Sequence, residues 1–88
     1  VHYFCQSILK ELAYPKEDSL IELRKTLQAY LDFQCEIAKT AKKLFIHRNT
    51  VKYRIDHCET ILGTIIADPT TSLSLRLALS LSQKDTEY

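Results

Sequence analysis

Residues that break helices are scarce in this sequence, which has one glycine and two prolines among 88 residues. Average usage would give roughly six glycines and four prolines. Sandwiches, barrels and glycine-rich phosphate loops need many such residues at their turns, so the composition argues against them and favours long helices with few corners. With 45% hydrophobic and 26% charged residues, the chain has the composition of a globular protein and not of a disordered one.

Long apolar segments and metal-ligand spacings are also missing. No apolar run approaches the ~18 residues of a membrane span, and no basic segment followed by an apolar one opens the chain. The three cysteines, Cys5, Cys35 and Cys58, are odd in number and show no Cys-x-x-Cys spacing, so they predict neither a disulfide framework nor a zinc ribbon. We expect a cytoplasmic protein with no membrane partner and no metal or cofactor. Because the chain begins with Val1 and contains no methionine, we expect it to be part of a longer protein.

Positive charge is concentrated in one segment. The net charge of the whole chain is +1, yet residues 36–57 contain six basic and two acidic residues, while the other 66 residues contain six basic and nine acidic ones. A nearly neutral protein with one basic segment presents an oriented field to a charged partner. A solvated helix face would give the same charge count, so the count alone leaves both interpretations open.

Apolar residues at helical spacing predict an all-α fold, a small bundle of about five helices in a single domain over residues 1–88. The predicted helices are about residues 2–13, 20–33, 36–44, 48–62 and 69–82. Tyr3 belongs to the apolar stripe of the first helix. Ser19 and Glu22 are spaced as a capping box at the start of the second. Gly63 is typical of a helix C-terminus, and Asp68-Pro69 is typical of a helix start.

The last predicted helix is the ambiguous one. Its five leucines, Leu73, Leu75, Leu77, Leu79 and Leu81, alternate strictly, which is the period of a strand. The segment has no β-branched or aromatic residue after Thr71, and a lone strand would have no partner in this chain. We therefore predict a helix.

Residues 37–55 have the layout of a helix-turn-helix. Ala41 is small where the two helices would cross, Leu44 and Ile46 would pack under the corner, and Val51 and Ile55 would seat the second helix on the first. The side chains left outward on the second helix are Arg48, Asn49, Thr50, Lys52, Tyr53 and Arg54. Arginine can bind guanine and asparagine adenine, while threonine and tyrosine reach phosphates. The N-terminus of the helix also suits a phosphate.

Several of these residues have a structural alternative. Tyr53 could bind a phosphate or pack against a neighbouring helix, and Asn49 and Thr50 could serve only the helix start. His47 fits an N-cap or corner better than a base contact. The lysines of the first motif helix are ordinary surface residues unless that helix crosses the DNA backbone. The complete set predicted to bind double-stranded DNA is Lys39, Lys42, Lys43, His47, Arg48, Asn49, Thr50, Lys52, Tyr53 and Arg54.

Two other functions compete with DNA binding. An enzyme is not predicted, because the neighbours His57 and Cys58 would point about 100° apart on a helix and Cys58 lies on the inward stripe, where a buried thiol is inert. The alternative is a helical protein-interaction or oligomerisation module without DNA binding, using the leucine-rich last helix. Leu73, Leu77 and Leu81 share one face there, and either form a dimer surface or close the core against residues 20–31.

The stretch from Ala41 to Ile55 resembles the C-terminal helix-turn-helix of PucR/CdaR-type bacterial transcriptional regulators. The resemblance covers roughly residues 7–82 and is most specific from His47 to Arg54. It implies an all-helical domain that binds operator DNA, follows an N-terminal sensory region, and belongs to a full-length homodimer. Two positions stand out: Cys35-Glu36 replaces a frequent Gly-Asn and brings an acid near the DNA side, and Phe45 occupies a corner where helix-turn-helix proteins generally favour glycine.

Overall fold

Every helix of the protein contributes buried apolar side chains to the core. The structure is a computed structural model that describes residues 1–86 and the side chains of residues 1–84. The α-helices in this part of the chain are α1 (His2–Leu9), α2 (Asp18–Asp32), α3 (Ile37–Leu44), α4 (Arg48–Leu62) and α5 (Pro69–Thr86), and a 3-10 helix (Lys10–Leu12) follows α1. No residue of the described chain is in a strand, which confirms the all-α prediction. None of these helices is long and apolar enough to cross a membrane.

The first helix is shorter than predicted. It ends at Leu9, because Lys10 adopts a positive φ of 52°, and the chain continues as the 3-10 helix. Such a helix has about three residues per turn, and Leu9 and Leu12, three residues apart, are both fully buried. The predicted apolar stripe is wrong at Tyr3, which is 84% exposed.

The predicted capping box at the start of α2 is also wrong. The helix already begins at Asp18, with Glu17 as its N-cap and no side-chain capping bond, so Ser19 lies inside the first turn. The carboxylate of Glu22 instead lies 3.7 Å from Lys25 Nζ. A capping box requires its serine at the N-cap position, and Glu17 occupies that position here.

The last helix confirms the helical prediction and corrects the role of its leucines. Asp68 caps α5 by accepting a hydrogen bond at Oδ2 from the Thr71 backbone N–H (3.1 Å). Leu75 and Leu79, four residues apart, are buried. Leu73 and Leu77, two residues before each of these, are exposed by 69% and 52%, so neither closes the core of the domain. Leu81, the third leucine of the predicted face, is partly buried and packs against the core.

A half-buried arginine on α2 ties three elements together. The guanidinium of Arg24 donates hydrogen bonds to the carbonyls of Leu12 (2.8 Å), Ala13 (2.7 Å) and Leu79 (3.2 Å) and to Ser82 Oγ (2.6 Å). Burial lowers the pKa of Arg24, and none of the described carboxylates forms an ion pair with it. The 3-10 helix, α2 and α5 are therefore joined through one side chain.

Candidate nucleic-acid interface

A three-residue turn joins α3 to α4. The first residue after α3, Phe45, is left-handed (φ 58°, ψ 41°), and the Ile46 N–H donates to the Ala41 carbonyl at 3.1 Å. A left-handed residue at this position ends the helix and redirects the chain, a role that glycine has at many helix C-termini. The sequence pointed to this position as one where glycine is favoured, and the structure confirms that its backbone is left-handed.

Buried side chains hold the two helices of the motif together. Ala41, Val51 and Ile55 are buried as predicted. Thr40 is fully buried as well, with its hydroxyl donating to the Glu36 carbonyl at 2.7 Å, a bond within the helix that satisfies the polar group. The orientation of α4 is therefore fixed by packing, as a reading helix requires.

The Cys58 thiol belongs to this packing and not to a reactive site. Its Sγ lies 3.6 Å from the Leu23 carbonyl, and burial raises the pKa of the thiol to about 12. His57 is exposed and meets the ring of Tyr53 edge-on, with centroids 6.4 Å apart. The two neighbours thus point into different environments, and a thiol that stays protonated is a poor nucleophile.

The start of α4 is capped by a histidine. His47 has extended backbone angles (φ −71°, ψ 149°), and its Nδ1 accepts a hydrogen bond from the Asn49 backbone N–H at 3.0 Å. This confirms the N-cap interpretation of His47. No acidic residue lies in the first turn of α4, so nothing there offsets the positive end of the helix dipole.

Most of the predicted DNA-binding residues are exposed near this end of α4. Arg48, Asn49 and Lys52 are exposed, and Thr50 is half-buried. Tyr53 is 71% exposed, and its ring meets that of His57 on the same helix. Residues four apart share a helix face, so Arg48 and Lys52 form one exposed row along α4, and Asn49 and Tyr53 form the adjacent one.

Three of the predicted DNA-binding residues lie on α3. Lys42 and Lys43 are exposed, and neither forms an ion pair with a described residue. Lys39 lies 3.5 Å from the Glu36 carboxylate, and both side chains are largely exposed. Such an exposed pair contributes little to stability, so Lys39 can exchange this partner for another anion.

Arg54 is the exception, and the structure corrects its placement. Its side chain is only 26% exposed and turns toward α2, where Nη1 donates to Thr26 Oγ1 at 3.2 Å and lies 3.7 Å from Glu22 Oε2. The sequence contained a signal for this. Residues three or four apart share a helix face, and Arg54 lies three residues after Val51 and four before Cys58, both buried.

Charge changes sign along the outward side of α4. The first half carries Arg48 and Lys52, and the second half carries Asp56 and Glu59. The carboxylate of Glu59 accepts a hydrogen bond from the Ile66 N–H at 2.9 Å, which holds the loop after the helix. A polyanion would be attracted to the N-terminal half and repelled by the C-terminal half.

No described group of three or more His, Cys, Asp or Glu side chains has the proximity that a metal ion needs. The cysteines of residues 1–86 are all free, with Cys5 and Cys58 buried and Cys35 half-buried.

Comparison with known proteins gives one family for this arrangement. A profile of the family described as "PucR C-terminal helix-turn-helix domain" matches residues 23–81, which include α3, the turn and α4. The chain is 44% identical over 80 residues to the purine catabolism regulatory protein of Bacillus subtilis (strain 168), covering 91% of this chain and 15% of that protein. It is 40% identical over 78 residues to the proline-responsive transcriptional activator PutR of the same organism, covering 85% of this chain and 19% of that protein. The chain thus spans less than one fifth of the length of these two relatives.

A solved structure shares the fold. The crystal structure of a regulator of polyketide synthase expression from Bifidobacterium adolescentis superposes with a TM-score of 0.80 and 24% identity, covering 96% of this chain and 32% of that one. At this identity the likeness concerns the fold alone, and it extends over nearly all of the chain.

Proposed function

The chain belongs to the family of PucR C-terminal helix-turn-helix domains, and on that premise we propose that it reads operator DNA by placing the N-terminal half of α4 in the major groove. Its general function as the DNA-binding domain of a transcriptional regulator follows from the family, as does the expectation that it is not an enzyme. The observation that carries the proposal is the exposed start of α4, which is basic and is capped without an acid. A cytoplasmic location is part of the proposal, because bacterial operators lie there.

The exposed residues divide by their chemistry into base and phosphate contacts. Arg48 and Asn49, in the first turn of α4, have the side chains that bind guanine and adenine edges. Phosphate contacts suit the other members of the set, since each offers a positive charge or a hydrogen-bond donor. These members are Lys39, Lys42, Lys43, His47, Thr50, Lys52 and Tyr53. Arg54 is left out, because α2 holds its guanidinium.

We further propose that the full-length regulator binds as a homodimer. One such domain makes few base contacts, and specific operators generally need two copies placed about 34 Å apart along the duplex. Joining two copies raises affinity through effective concentration. The exposed Leu73 and Leu77 of α5 are the apolar surface that this domain could add to the dimer, and the remaining length of the regulator would supply the rest.

The test begins with selection of bound sequences from a random duplex pool, followed by titrations of the selected and a scrambled duplex at several salt concentrations. Arg48→Ala should weaken binding to the selected duplex by about 1–3 kcal/mol and relax the preference at one base pair. Lys43→Ala should weaken binding to both duplexes alike and reduce the salt slope by about one unit.

Lys10→Gln is the matched control. It removes one positive charge near Leu62, which ends α4, and should leave both affinities unchanged. Wild-type affinity and sequence preference in Arg48→Ala would show that α4 does not read DNA through its first turn. Absence of any salt-dependent binding would leave the interaction module, with its exposed leucines on α5, as the function.

A further inference from the structure

The turn of the motif carries a large apolar side chain with no packing role inside the domain. Phe45 is 94% exposed, while its neighbours Leu44 and Ile46 are both partly buried. A single exposed apolar side chain is common on protein surfaces and implies little by itself. An aromatic ring that is almost completely hydrated nevertheless gains nothing from the hydrophobic effect in the isolated domain.

The backbone of the same residue adds a second, independent observation. Phe45 is left-handed, with φ 58° and ψ 41°, a conformation that is unfavourable for residues with a Cβ and free of steric cost for glycine. The turn therefore carries a residue that is unfavourable on both counts, exposure and backbone, where glycine would avoid both. The hydrogen bonds that close the turn join backbone atoms only, so glycine would form them equally well.

The position of Phe45 indicates what the ring meets. It lies between Lys43 at the end of α3 and His47 and Arg48 at the start of α4, all of them exposed. These residues belong to the proposed phosphate and base contacts on either side of the turn. Because Phe45 is exposed and lies between these contacts in the chain, its ring is close to the surface proposed to meet DNA.

We propose that the phenyl ring of Phe45 packs against an apolar part of the DNA beside the first turn of α4. The apolar groups of a duplex that such a ring can reach are the carbons of deoxyribose and the C5-methyl group of thymine. The inference rests on the proposed function, since it assigns a further contact residue to the same interface. The ring is buried only in the complex, where it adds affinity without adding charge.

The distinguishing test is a substitution with opposite effects on folding and binding. Phe45→Gly should keep the melting temperature or raise it by up to about 5 °C, because glycine fits the left-handed backbone. Its affinity for the selected duplex should fall by about threefold to tenfold with the salt slope unchanged, because no charge is lost. Phe45→Leu keeps the backbone cost and part of the apolar surface and should bind with intermediate affinity.

Tyr3→Ala is the matched control, since it removes an exposed aromatic ring from α1 and should change neither affinity nor salt slope. Titration of a duplex with uracil in place of thymine separates the two DNA groups. If this replacement weakens the wild type but not Phe45→Gly, the ring contacts a thymine methyl. Equal effects in both proteins assign it to deoxyribose.

Unchanged DNA affinity of Phe45→Gly, with the wild type binding normally, would overturn the proposal. A melting temperature lowered by more than about 5 °C would overturn it too, by showing that the ring packs within the domain. A changed sedimentation coefficient with unchanged DNA affinity would assign the ring to a protein contact instead. Failure of the wild type itself to bind DNA would refute the proposed function, a distinct result.

Discussion

Two basic residues of α4, Lys52 and Arg54, should respond in opposite ways to the same substitution. Lys52 is exposed on the outward face, whereas the guanidinium of Arg54 donates to the buried Thr26 hydroxyl and lies near Glu22 on α2. Lys52→Gln should therefore change DNA binding and leave folding intact. Arg54→Gln should destabilise the fold and change the charge contribution to DNA binding little.

The expected loss of stability in Arg54→Gln follows from the contacts of the Arg54 side chain. The Thr26 hydroxyl already donates to the Glu22 carbonyl at 2.9 Å, so loss of the guanidinium removes only the bond that this hydroxyl accepts. Hydrogen bonds with a charged partner contribute about 1.5–3 kcal/mol when buried. The ion pair adds little, because the Glu22 side chain is 52% exposed. A glutamine keeps part of the apolar stem, which leaves an expected loss of about 1–2 kcal/mol in the free energy of unfolding.

Urea denaturation followed by circular dichroism measures the change in folding stability. Fluorescence anisotropy of a labelled duplex at several salt concentrations measures the change in DNA binding. Lys52→Gln should unfold within about 0.5 kcal/mol of the wild type and reduce the salt slope by about 0.9 units, the value for one phosphate contact. The reverse pattern would refute the placement of Arg54: a wild-type unfolding curve for Arg54→Gln together with a reduced salt slope.

Two further predictions concern the buried groups. Arg24→Met should lower the free energy of unfolding by about 2–4 kcal/mol, since four hydrogen bonds from a charged donor are lost and relief of the desolvation of the guanidinium offsets part of that loss. The control Lys25→Met, which loses only an exposed ion pair, should unfold within about 0.5 kcal/mol of the wild type. Equal unfolding curves for the two variants would contradict the tie between α2 and α5. The raised pKa of Cys58, about 12, gives a contribution to stability that is fully present below the unfolded-state pKa near 9 and is lost as pH rises toward 12. The unfolding free energy of the wild type should therefore fall toward that of Cys58→Ala by up to about 1.4 kcal/mol per pH unit over this range, and parallel pH profiles would show that the thiol is not desolvated.

Local patterns predicted the helices best where a cap or an apolar stripe marks their ends. Gly63 has the positive φ of 70° expected at the end of α4, and Asp68 caps α5 as its position before a proline suggested. The break after Leu9 has no such mark, because the left-handed residue there is Lys10, an ordinary helix former. No residue type at this position marks the break, so a local window of the sequence contains no signal for it.

The candidate site, too, has features that local sequence patterns predict and features that they do not. The outward face of α4 could be predicted, since exposure of Arg48 and Lys52 follows from the buried stripe of Val51 and Ile55. The hydrogen bond from Arg54 to Thr26 could not, because the two residues are 28 positions apart in the chain. Such contacts depend on the tertiary arrangement, and a sequence contains no periodic signal for them.

The histidine cap at the start of α4 has a consequence for the chemistry of its outer edge. Because Nδ1 of His47 accepts the Asn49 N–H, that nitrogen carries no proton, and the neutral ring must be the tautomer with its proton on Nε2. The cap therefore selects one of the two imidazole tautomers, and the exposed edge of the ring presents a proton donor and not a lone pair. The turn of the motif thus ends in an N–H group with a fixed orientation, suited to an oxygen acceptor and unable to bind a donor.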